Sequence, residues 1–353
     1  MTTVHQFHPT LAPGDAISNH VFALAAQIRD WGHDSRVYAI EAKPGVQADV
    51  LPHRRLFRAV RPDDLLVLHF SMGHEVCDQL AKLAARRVLV YHNITPPGFF
   101  VGINPHAATH AQLGLRQLEG LAPRIELAVG VSEFNRRELE AAGFPNTARV
   151  PILIDWPAYD AAPDAETLAL WRGHGTVLLF VGRIAPHKRQ DDLIRMLAYY
   201  RRCIEGETRL VLVGTFRDQP QYFDRLRSLA DAVGVTDAVT FTGSVSLAEL
   251  VAYYRSASCF VSLSEHEGFA VPLLEAMRFR VPIVALDAAA VGETLDGAGV
   301  LMGHRDLAET AETCALLLER EDLRARFAAA GERRLGEFAT ERVARRTREA
   351  LAL

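Results

Sequence analysis

Two successive series of short apolar runs set the limits on what this chain can fold into. In the first half, the predicted strands are Thr3 to Phe7, Ser35 to Ile40, Leu65 to Phe70, Val88 to His92 and Leu127 to Val131. The second series comprises a run beginning at Val177, then Leu210 to Gly214, Val239 to Thr242, Cys259 to Leu263 and Val281 to Leu286. Predicted helices separate the runs, and this alternation is typical of parallel sheets covered by helices. The sequence therefore predicts an α/β fold with two doubly wound domains.

The first predicted helix shows how each unit is built. It extends from Ala16 to Trp31 and ends before Gly32, a residue that commonly terminates helices. Its apolar residues recur at helical spacing, at Val21, Leu24, Ala25 and Ile28. Together with the strands on either side, this helix makes the opening of the chain a βαβ unit.

The length of 353 residues and the hydrophobic content of 49% are sufficient for two domains, each with its own core. We assign residues 1–155 to an N-terminal domain and residues 176–339 to a C-terminal domain. Residues 156–175 are predicted to be the interdomain linker, because the region around them is rich in proline, acidic and small residues. A last helix is predicted at about 340–353.

Composition excludes several classes of function. The net charge of -4 argues against a nucleic-acid binder, which would usually carry a basic domain. No run of 18 apolar residues occurs, and the N-terminus lacks the pattern of a signal peptide, so we expect a cytoplasmic protein. The four cysteines are scattered without metal-binding spacing, so we expect reduced packing residues.

The segment SEHEGFAVPLLEAM, residues 264–277, carries the most informative chemistry. It places two carboxylates, Glu267 and Glu275, eight positions apart around Pro272. Proline favours the first helical position, so we expect a helix from about Pro272 with Glu275 in its first turn. A helix N-terminus suits a phosphate, and carboxylates accept hydrogen bonds from hydroxyls. Taken alone, the pair could equally be a solvated loop and an ordinary helix-start glutamate.

A second cluster follows the apolar run from Val177 to Val181. Gly182 and Arg183 come directly after this run, and Lys188 follows in the same loop. The carboxyl ends of parallel strands line the crevice where open α/β sheets bind ligands. Arginine and lysine at this edge could together neutralise a diphosphate leaving group.

The two clusters, GRIAPHK and EHEGFAVPLLEAM, resemble the motifs of retaining glycosyltransferases of sequence family four, also called group 1. This resemblance covers nearly the whole chain and implies the GT-B fold, in which two Rossmann-like domains face a cleft. It implies that residues 1–155 form the acceptor-side domain, that residues 176–339 bind the nucleotide sugar, and that the last helix, at about 340–353, joins the N-terminal domain. It implies transfer of a hexose from a UDP- or GDP-sugar to a hydroxyl of a glycan, lipid-linked or small-molecule acceptor. It also implies a metal-independent, same-face attack in which the departing phosphate takes the proton of the acceptor.

The resemblance assigns roles to residues of the C-terminal domain. Arg183 and Lys188 would stabilise the leaving diphosphate, Glu267 would accept sugar hydroxyls, and Glu275 would accept from the ribose. Donor binding is further implied for Gly182, Gly214, Gly243, Ser244, Val245, Gly268, Phe269, Ala270 and Val271. Within this set, residues 243–245 form the expected base-contacting loop. Gly214 would allow close approach of the nucleotide, or would serve as a structural turn glycine.

In the N-terminal domain, the resemblance places His92 near the donor sugar as a catalytic residue. His69, at the end of another strand, could line the acceptor side. Gly14 and Asp15 belong to the first loop, which would contact the acceptor or the phosphates. Asp15 could bind an acceptor group or simply cap the helix that begins at Ala16.

Basic residues flank the apolar positions of the segment from Pro52 to Arg61. This pattern could bind an anionic membrane surface, which would place the protein at the inner face of the membrane. Packing of the segment against the sheet is the other interpretation. Ser132, after the last strand of the first series, is interpreted chiefly as a helix cap.

Rival functions lack their own signatures. No completed Gly-x-Gly-x-x-Gly motif is present, which weakens the case for a dehydrogenase. No Asp-x-Asp occurs, so we expect no metal site and no cofactor, with Arg183 and Lys188 in place of the metal. Two alternatives stay open: a sugar-nucleotide epimerase or phosphorylase of the same fold, and a non-catalytic nucleotide-sugar-binding subunit.

Overall fold

The computed structural model describes residues 2–353 as an α/β protein. Its strands are β1 Thr3–Phe7, β2 Thr10–Leu11, β3 Asp34–Ala39, β4 Glu41–Ala42, β5 Leu51–Pro52, β6 Leu65–Phe70, β7 Arg86–Tyr91, β8 Leu127–Gly130, β9 Thr147–Arg149, β10 Val177–Val181, β11 Arg209–Val213, β12 Val239–Gly243, β13 Cys259–Ser262, β14 Ile283–Leu286 and β15 Val300–Met302.

Helices alternate with these strands. They are α1 Ala16–Asp30, α2 Leu56–Ala59, α3 Glu75–Leu80, α4 Pro105–Leu121, α5 Glu133–Ala141, α6 Ala165–Trp171, α7 Gln190–Cys203, α8 Pro220–Ala232, α9 Leu247–Ser256, α10 Val271–Arg278, α11 Val291–Leu295, α12 Leu307–Glu319, α13 Glu321–Leu335 and α14 Thr340–Leu351. The predicted alternation of strand and helix is therefore confirmed.

The first compact unit contains the chain up to Gly98, Pro105–Asp155 and Phe338–Leu353, which includes α14. Its main sheet has the order β5-β3-β1-β6-β7-β8-β9, and all neighbouring strands are parallel. The chain adds strands outward from β1 in one direction and then, from β6, in the other. The topological switch point therefore lies between β1 and β6, where doubly wound sheets bind ligands.

The second unit contains Phe99–Asn104 and Trp156–Glu337. Its sheet has the order β12-β11-β10-β13-β14-β15 with parallel pairing throughout, and the switch point lies between β10 and β13. The range 156–175, expected to be a linker, contains a 3-10 helix at Trp156–Asp160 and helix α6. Apolar residues of β10, β11, α7 and α12 form one buried core in this unit.

Local sequence explains the first βαβ unit. The four apolar residues of α1 at helical spacing, Val21, Leu24, Ala25 and Ile28, are all buried. Asp15 caps the helix by accepting a hydrogen bond from the amide of Ser18 at 2.9 Å. Gly32 follows the helix with a φ of 86°, a conformation that glycine adopts without strain. Capping is therefore the role of Asp15 in this structure.

One sequence prediction about α10 is wrong. This helix begins at Val271, one residue before Pro272, so Glu275 is its fifth residue and lies beyond the first turn. Ala270 precedes the helix as its N-cap residue with a φ of 66°. No helix within residues 2–353 is both long and apolar enough to cross a membrane.

Candidate active site

Gly182 and Gly214 end two neighbouring strands, β10 and β11, in close contact. The amide of Gly182 donates to the carbonyl of Val213 at 2.8 Å. A Cβ atom at Gly214 would lie 2.1 Å from the carbonyl oxygen of Gly182, and Gly214 has a φ of 146°. Glycine is therefore required at this position for backbone packing, which supports the structural interpretation of Gly214.

Arg183 is held at the carboxyl end of β10 by a buried side chain that sequence reasoning missed. Gln190 donates through Nε2 to the carbonyl of Arg183 at 3.1 Å, and its Oε1 accepts from the amide of Ala185 at 3.4 Å. The side chain of Arg183 is exposed. Within residues 2–353, no carboxylate lies within ion-pair distance of it, so its charge is available to an anion.

Lys188 and Glu267 join the loops that follow β10 and β13. Lys188 Nζ donates to Glu267 Oε1 at 2.6 Å, and their side chains are only 17% and 12% exposed. A backbone bond of 2.8 Å, from the amide of Glu265 to the carbonyl of His187, reinforces the contact. The structure thus brings together two charged residues that the sequence predicts for the site, at the switch point of this sheet.

Two amides are available where the chain enters α10. Gly268 and Ala270 donate no backbone hydrogen bond within the described residues, 2–353. Phe269 between them is buried, and its carbonyl accepts from Thr294 Oγ1 at 2.5 Å. Val271, the first helical residue, is half-buried. Orphan amides at a helix N-terminus favour an anion or a hydroxyl oxygen.

Glu275 lies within α10 in a buried hydrogen-bonded cluster. Tyr159 donates to its Oε1 at 2.5 Å and Tyr254 donates to its Oε2 at 2.6 Å. Burial raises the pKa of Glu275 above its ordinary value, while the two hydroxyl donors oppose that rise. Each carboxylate oxygen has two lone pairs, so both retain acceptor capacity. The tyrosines were missed at the sequence level.

The expected base-contacting residues lie at the end of β12 and in the loop that follows it. Gly243 has a φ of 73°, and its carbonyl accepts from the amide of Gly214 at 3.1 Å. Ser244 is exposed and Val245 is half-buried. Because β12, β11, β10 and β13 are consecutive in the sheet, their carboxyl ends lie along one edge. Of the predicted donor-binding residues, Gly243 is the last residue of β12, Val271 and Glu275 lie in α10, and the others lie in loops that follow one of these strands.

In the first unit, His92 and His69 are in direct contact. His92 Nε2 lies 3.0 Å from His69 Nδ1, and His69 Nε2 lies 2.9 Å from Gln6 Oε1. The side chain of His69 is fully buried, so it cannot contact an acceptor substrate directly in this structure. It could affect such a substrate only through its contact with His92. Burial holds the pKa of both histidines well below the ordinary value, with smaller effects from neighbouring histidines. Both rings are therefore neutral at pH 7.

The structure also shows the environments of three other features of the first unit that the sequence analysis considered. Gly14 is exposed with a φ of 72°. Ser132 caps α5 by accepting from the amide of Asn135 at 3.1 Å, as predicted. In the segment from Pro52 to Arg61, Leu56 is buried and Phe57 is exposed.

Residues 169–334 match the family model described as glycosyl transferases group 1. The resemblance to group 1 glycosyltransferases is confirmed. A relative from Mycobacterium tuberculosis, a GDP-mannose-dependent alpha-mannosyltransferase, is 29% identical over 78% of this chain and 76% of its own length. A GDP-mannose-dependent alpha-(1-6)-phosphatidylinositol monomannoside mannosyltransferase from the same species is 32% identical over 57% of this chain and 54% of its own length.

Solved structures support the predicted fold. Anabaena HepE, solved in complex with UDP and glucose, superposes with a TM-score of 0.80 and 20% identity, covering 100% of both chains. Sucrose-phosphate synthase from Thermosynechococcus elongatus superposes with a TM-score of 0.77 and 16% identity, covering 99% of this chain and 98% of its own. At this identity the likeness concerns the fold alone, and the predicted GT-B class is confirmed.

Proposed function

We propose that this chain is a retaining hexosyltransferase that uses a nucleoside-diphosphate sugar. The observation that carries the proposal is the ion pair of Lys188 and Glu267 at the switch point of the second sheet, with Arg183 in the same loop as Lys188. This arrangement places two cations and a carboxylate where an α/β sheet binds its ligand. Such a set matches a donor that has a diphosphate at one end and hydroxyls at the other.

The cations act on the leaving group. As the bond from the anomeric carbon to the phosphate oxygen breaks, negative charge accumulates on the β-phosphate. Arg183 grips two phosphate oxygens in a fork, while Lys188 adds a point charge held in place by Glu267. Preorganised charge of this kind is worth about 3–4 kcal/mol per donor. These residues supply the stabilisation that a divalent ion provides in metal-using transferases.

The remaining site residues bind the sugar and the nucleoside. Glu267 accepts sugar hydroxyls through its second oxygen, and the amides of Gly268 and Ala270 donate to sugar or phosphate oxygens. Glu275 accepts from the ribose through lone pairs not used by its tyrosines. The loop of residues 243–245 contacts the base.

Transfer proceeds on one face of the sugar. The acceptor hydroxyl attacks the anomeric carbon from the side that the diphosphate leaves, and a phosphate oxygen takes the hydroxyl proton. The new glycosidic bond forms as the bond to phosphate breaks, so the anomeric configuration is retained. For His92, in the first unit, we retain the polar contact to a sugar that the resemblance implies.

GDP-mannose is the donor to test first, because relatives at 29% and 32% identity are named for it. UDP-glucose is the second, since HepE was solved with it. The acceptor is a hydroxyl of a glycan, a lipid-linked sugar or a small molecule. We propose a cytoplasmic location, with contact at the inner face of the membrane where the acceptor is lipid-linked.

The test follows the anomeric proton by NMR during turnover of GDP-mannose or UDP-glucose in the presence of EDTA. An acceptor panel should include inositol phosphates and short mannosides. The proposal predicts an α-linked product and turnover without added metal. A β-linked product contradicts retention, and activity restored only by a divalent ion contradicts metal independence.

A further inference from the structure

Three histidine rings, His20, His69 and His92, meet in the buried interior of the first unit. Ring centroids are 5.3 to 5.6 Å apart, and one nitrogen of each ring lies within 4.8 Å of the others. Such spacing alone could suit a transition-metal ion. The hydrogen bonds that the rings make show whether they suit a metal ion or instead fix the positions of one another's protons.

His20 has its lone pair occupied. The backbone amide of Leu153 donates to His20 Nδ1 at 2.8 Å, so the proton of the neutral ring is on Nε2. The low pKa of about 4 keeps this ring neutral, since burial outweighs the backbone bond. His69 has both nitrogens bonded, to Gln6 and to His92. A metal ion would therefore have to break existing bonds at two of the three rings.

Gln6 determines which atom donates and which accepts in this series of hydrogen bonds. Its Nε2 donates to Ser35 Oγ at 3.3 Å, which leaves Oε1 facing His69 Nε2. An amide oxygen can only accept, so His69 carries its proton on Nε2 and offers a lone pair on Nδ1. That lone pair accepts from His92 Nε2, so the proton of His92 is on Nε2.

The series of hydrogen bonds ends at His92 Nδ1, a hydrogen-bond acceptor without a donor. His92 Nδ1 is buried and has no hydrogen-bond partner within residues 2–353. His92 directly follows β7, at the carboxyl edge of the first sheet where ligands bind. An unpaired buried acceptor costs about 1–3 kcal/mol, which makes it an expected place for a bound donor group.

We propose that Gln6 and His69 are positioning residues that fix His92 as a hydrogen-bond acceptor for a substrate hydroxyl. The inference rests on the proposed function only for the identity of the ligand, a hydroxyl-bearing sugar substrate. Which nitrogen of His92 is protonated is determined by the series of hydrogen bonds that runs from Ser35 through Gln6 and His69 to His92. His92 thereby receives a proton-bearing hydroxyl and does not donate to a phosphate.

The direct test is the tautomer of His92 in the full-length protein, read from two-bond nitrogen–proton couplings in ¹⁵N-histidine-labelled samples. The wild type should show a protonated Nε2 and a bare Nδ1. Gln6→Met removes the amide at constant shape, so His69 loses its fixed proton and His92 should show both tautomers. Gln6→Glu keeps an accepting oxygen and should restore the Nε2-protonated form.

Activity provides the second measurement. Gln6→Met should lower kcat for sugar transfer about tenfold with little change in KM for the donor, and Gln6→Glu should recover most of it. The control is His5→Gln on the same strand, because His5 is equally buried but bonds Tyr38 and Asp64 instead. His5→Gln should alter stability and leave the His92 tautomer unchanged.

The tautomer measurement separates this inference from the proposed function. If His92 is protonated only on Nε2 in the wild type and loses this preference in Gln6→Met, the positioning role of Gln6 and His69 is supported, even if no sugar donor is turned over. A protonated Nδ1 in the wild type overturns it, as does an unchanged tautomer in Gln6→Met. Binding of Zn²⁺ at one equivalent, with all three ring signals shifted, also overturns it in favour of a metal site.

Discussion

Lys188 Nζ donates to Glu267 Oε1 at 2.6 Å across 79 residues of sequence. The bond joins the loop after β10 to the loop after β13 on either side of the switch point in the second sheet. It also fixes the glutamate that would bind the sugar against the lysine that would bind the phosphate. A stabilising interaction and the proposed chemistry are therefore located in the same pair.

Glu267→Gln should reduce the free energy of unfolding by about 1–3 kcal/mol, because it leaves the ammonium group of Lys188 largely buried without its counter-charge. Chemical denaturation measures the change. The matched control is Glu332→Gln, which breaks an equally short pair with Arg280 whose side chains are 55% and 64% exposed. That control should cost less than about 1 kcal/mol. Equal losses in the two variants would show that burial of the first pair has no energetic consequence.

Arg183→Ala should lower turnover by about 10²–10³ with little change in stability, because an exposed cation that stabilises the transition state contributes to rate and not to folding. Steady-state kinetics and thermal unfolding give the two quantities. Arg255→Ala at the end of α9 is the control, since Arg255 is exposed in the same unit and precedes β13 at the opposite edge of the sheet. A comparable loss of rate in this control would contradict the specific role of Arg183.

Ala270→Gly should stabilise the protein by about 1 kcal/mol. Ala270 has a φ of 66°, a left-handed conformation that costs a residue with a Cβ atom about 1–2 kcal/mol. Part of that gain is offset by the greater freedom of glycine in the unfolded chain. The midpoint of urea unfolding measures the effect. Ala276→Gly, inside α10, should destabilise instead, and stabilisation by both changes would show that strain at Ala270 is not the cause.

Glu138→Gln should change how stability depends on pH. Burial raises the pKa of Glu138 to about 7, and a hydrogen bond to Tyr91 opposes this in part. The folded state therefore binds a proton more tightly than the unfolded state, so the stabilisation is complete below about pH 4.5 and is lost as the pH rises through 7.

The variant should accordingly match the wild type near pH 4 and exceed its stability at pH 8 by about 1–2 kcal/mol, after allowance for solvent screening of this half-buried group. Its amide also preserves an acceptor for Asn93 Nδ2, which lies 2.7 Å from Glu138 Oε2. Denaturant titrations at pH 4, 6 and 8 measure the difference. A constant difference across that range would contradict the raised pKa.

Much of the fold could be predicted from the sequence because strand-like runs alternate with helical patterns along the chain. β1 and β6 agree with their predicted bounds at both ends, and every residue of β6 is buried. The start of α10 agrees with the prediction of a helix from about Pro272, but Glu275 lies beyond the first turn and not within it, and the left-handed conformation of Ala270 was not predicted. Patterns of hydrophobicity thus locate elements better than they locate backbone irregularities.

The supporting residues of the site could not be predicted in this way. Gln190 lies at the start of a helix and is buried only because its amide bonds the loop of Arg183. Tyr159 and Glu275 meet across 116 residues, and Gln6 and His69 meet across 63. The local spacing of residues in the sequence does not predict such pairs, because they depend on how separate helices and strands pack together. Charged motif residues were accessible to sequence reasoning, whereas the buried polar groups that hold them were not.

Calorimetric titration with GDP, UDP and ADP in EDTA tests the central claim most directly, with the wild type compared with Arg183→Ala and Glu275→Ala. The account predicts that one nucleotide binds the wild type without metal and that both variants bind it at least tenfold more weakly. If no nucleotide binds the wild type, even after magnesium is added, the assignment of the β10 and β13 edge as a sugar-nucleotide site is contradicted.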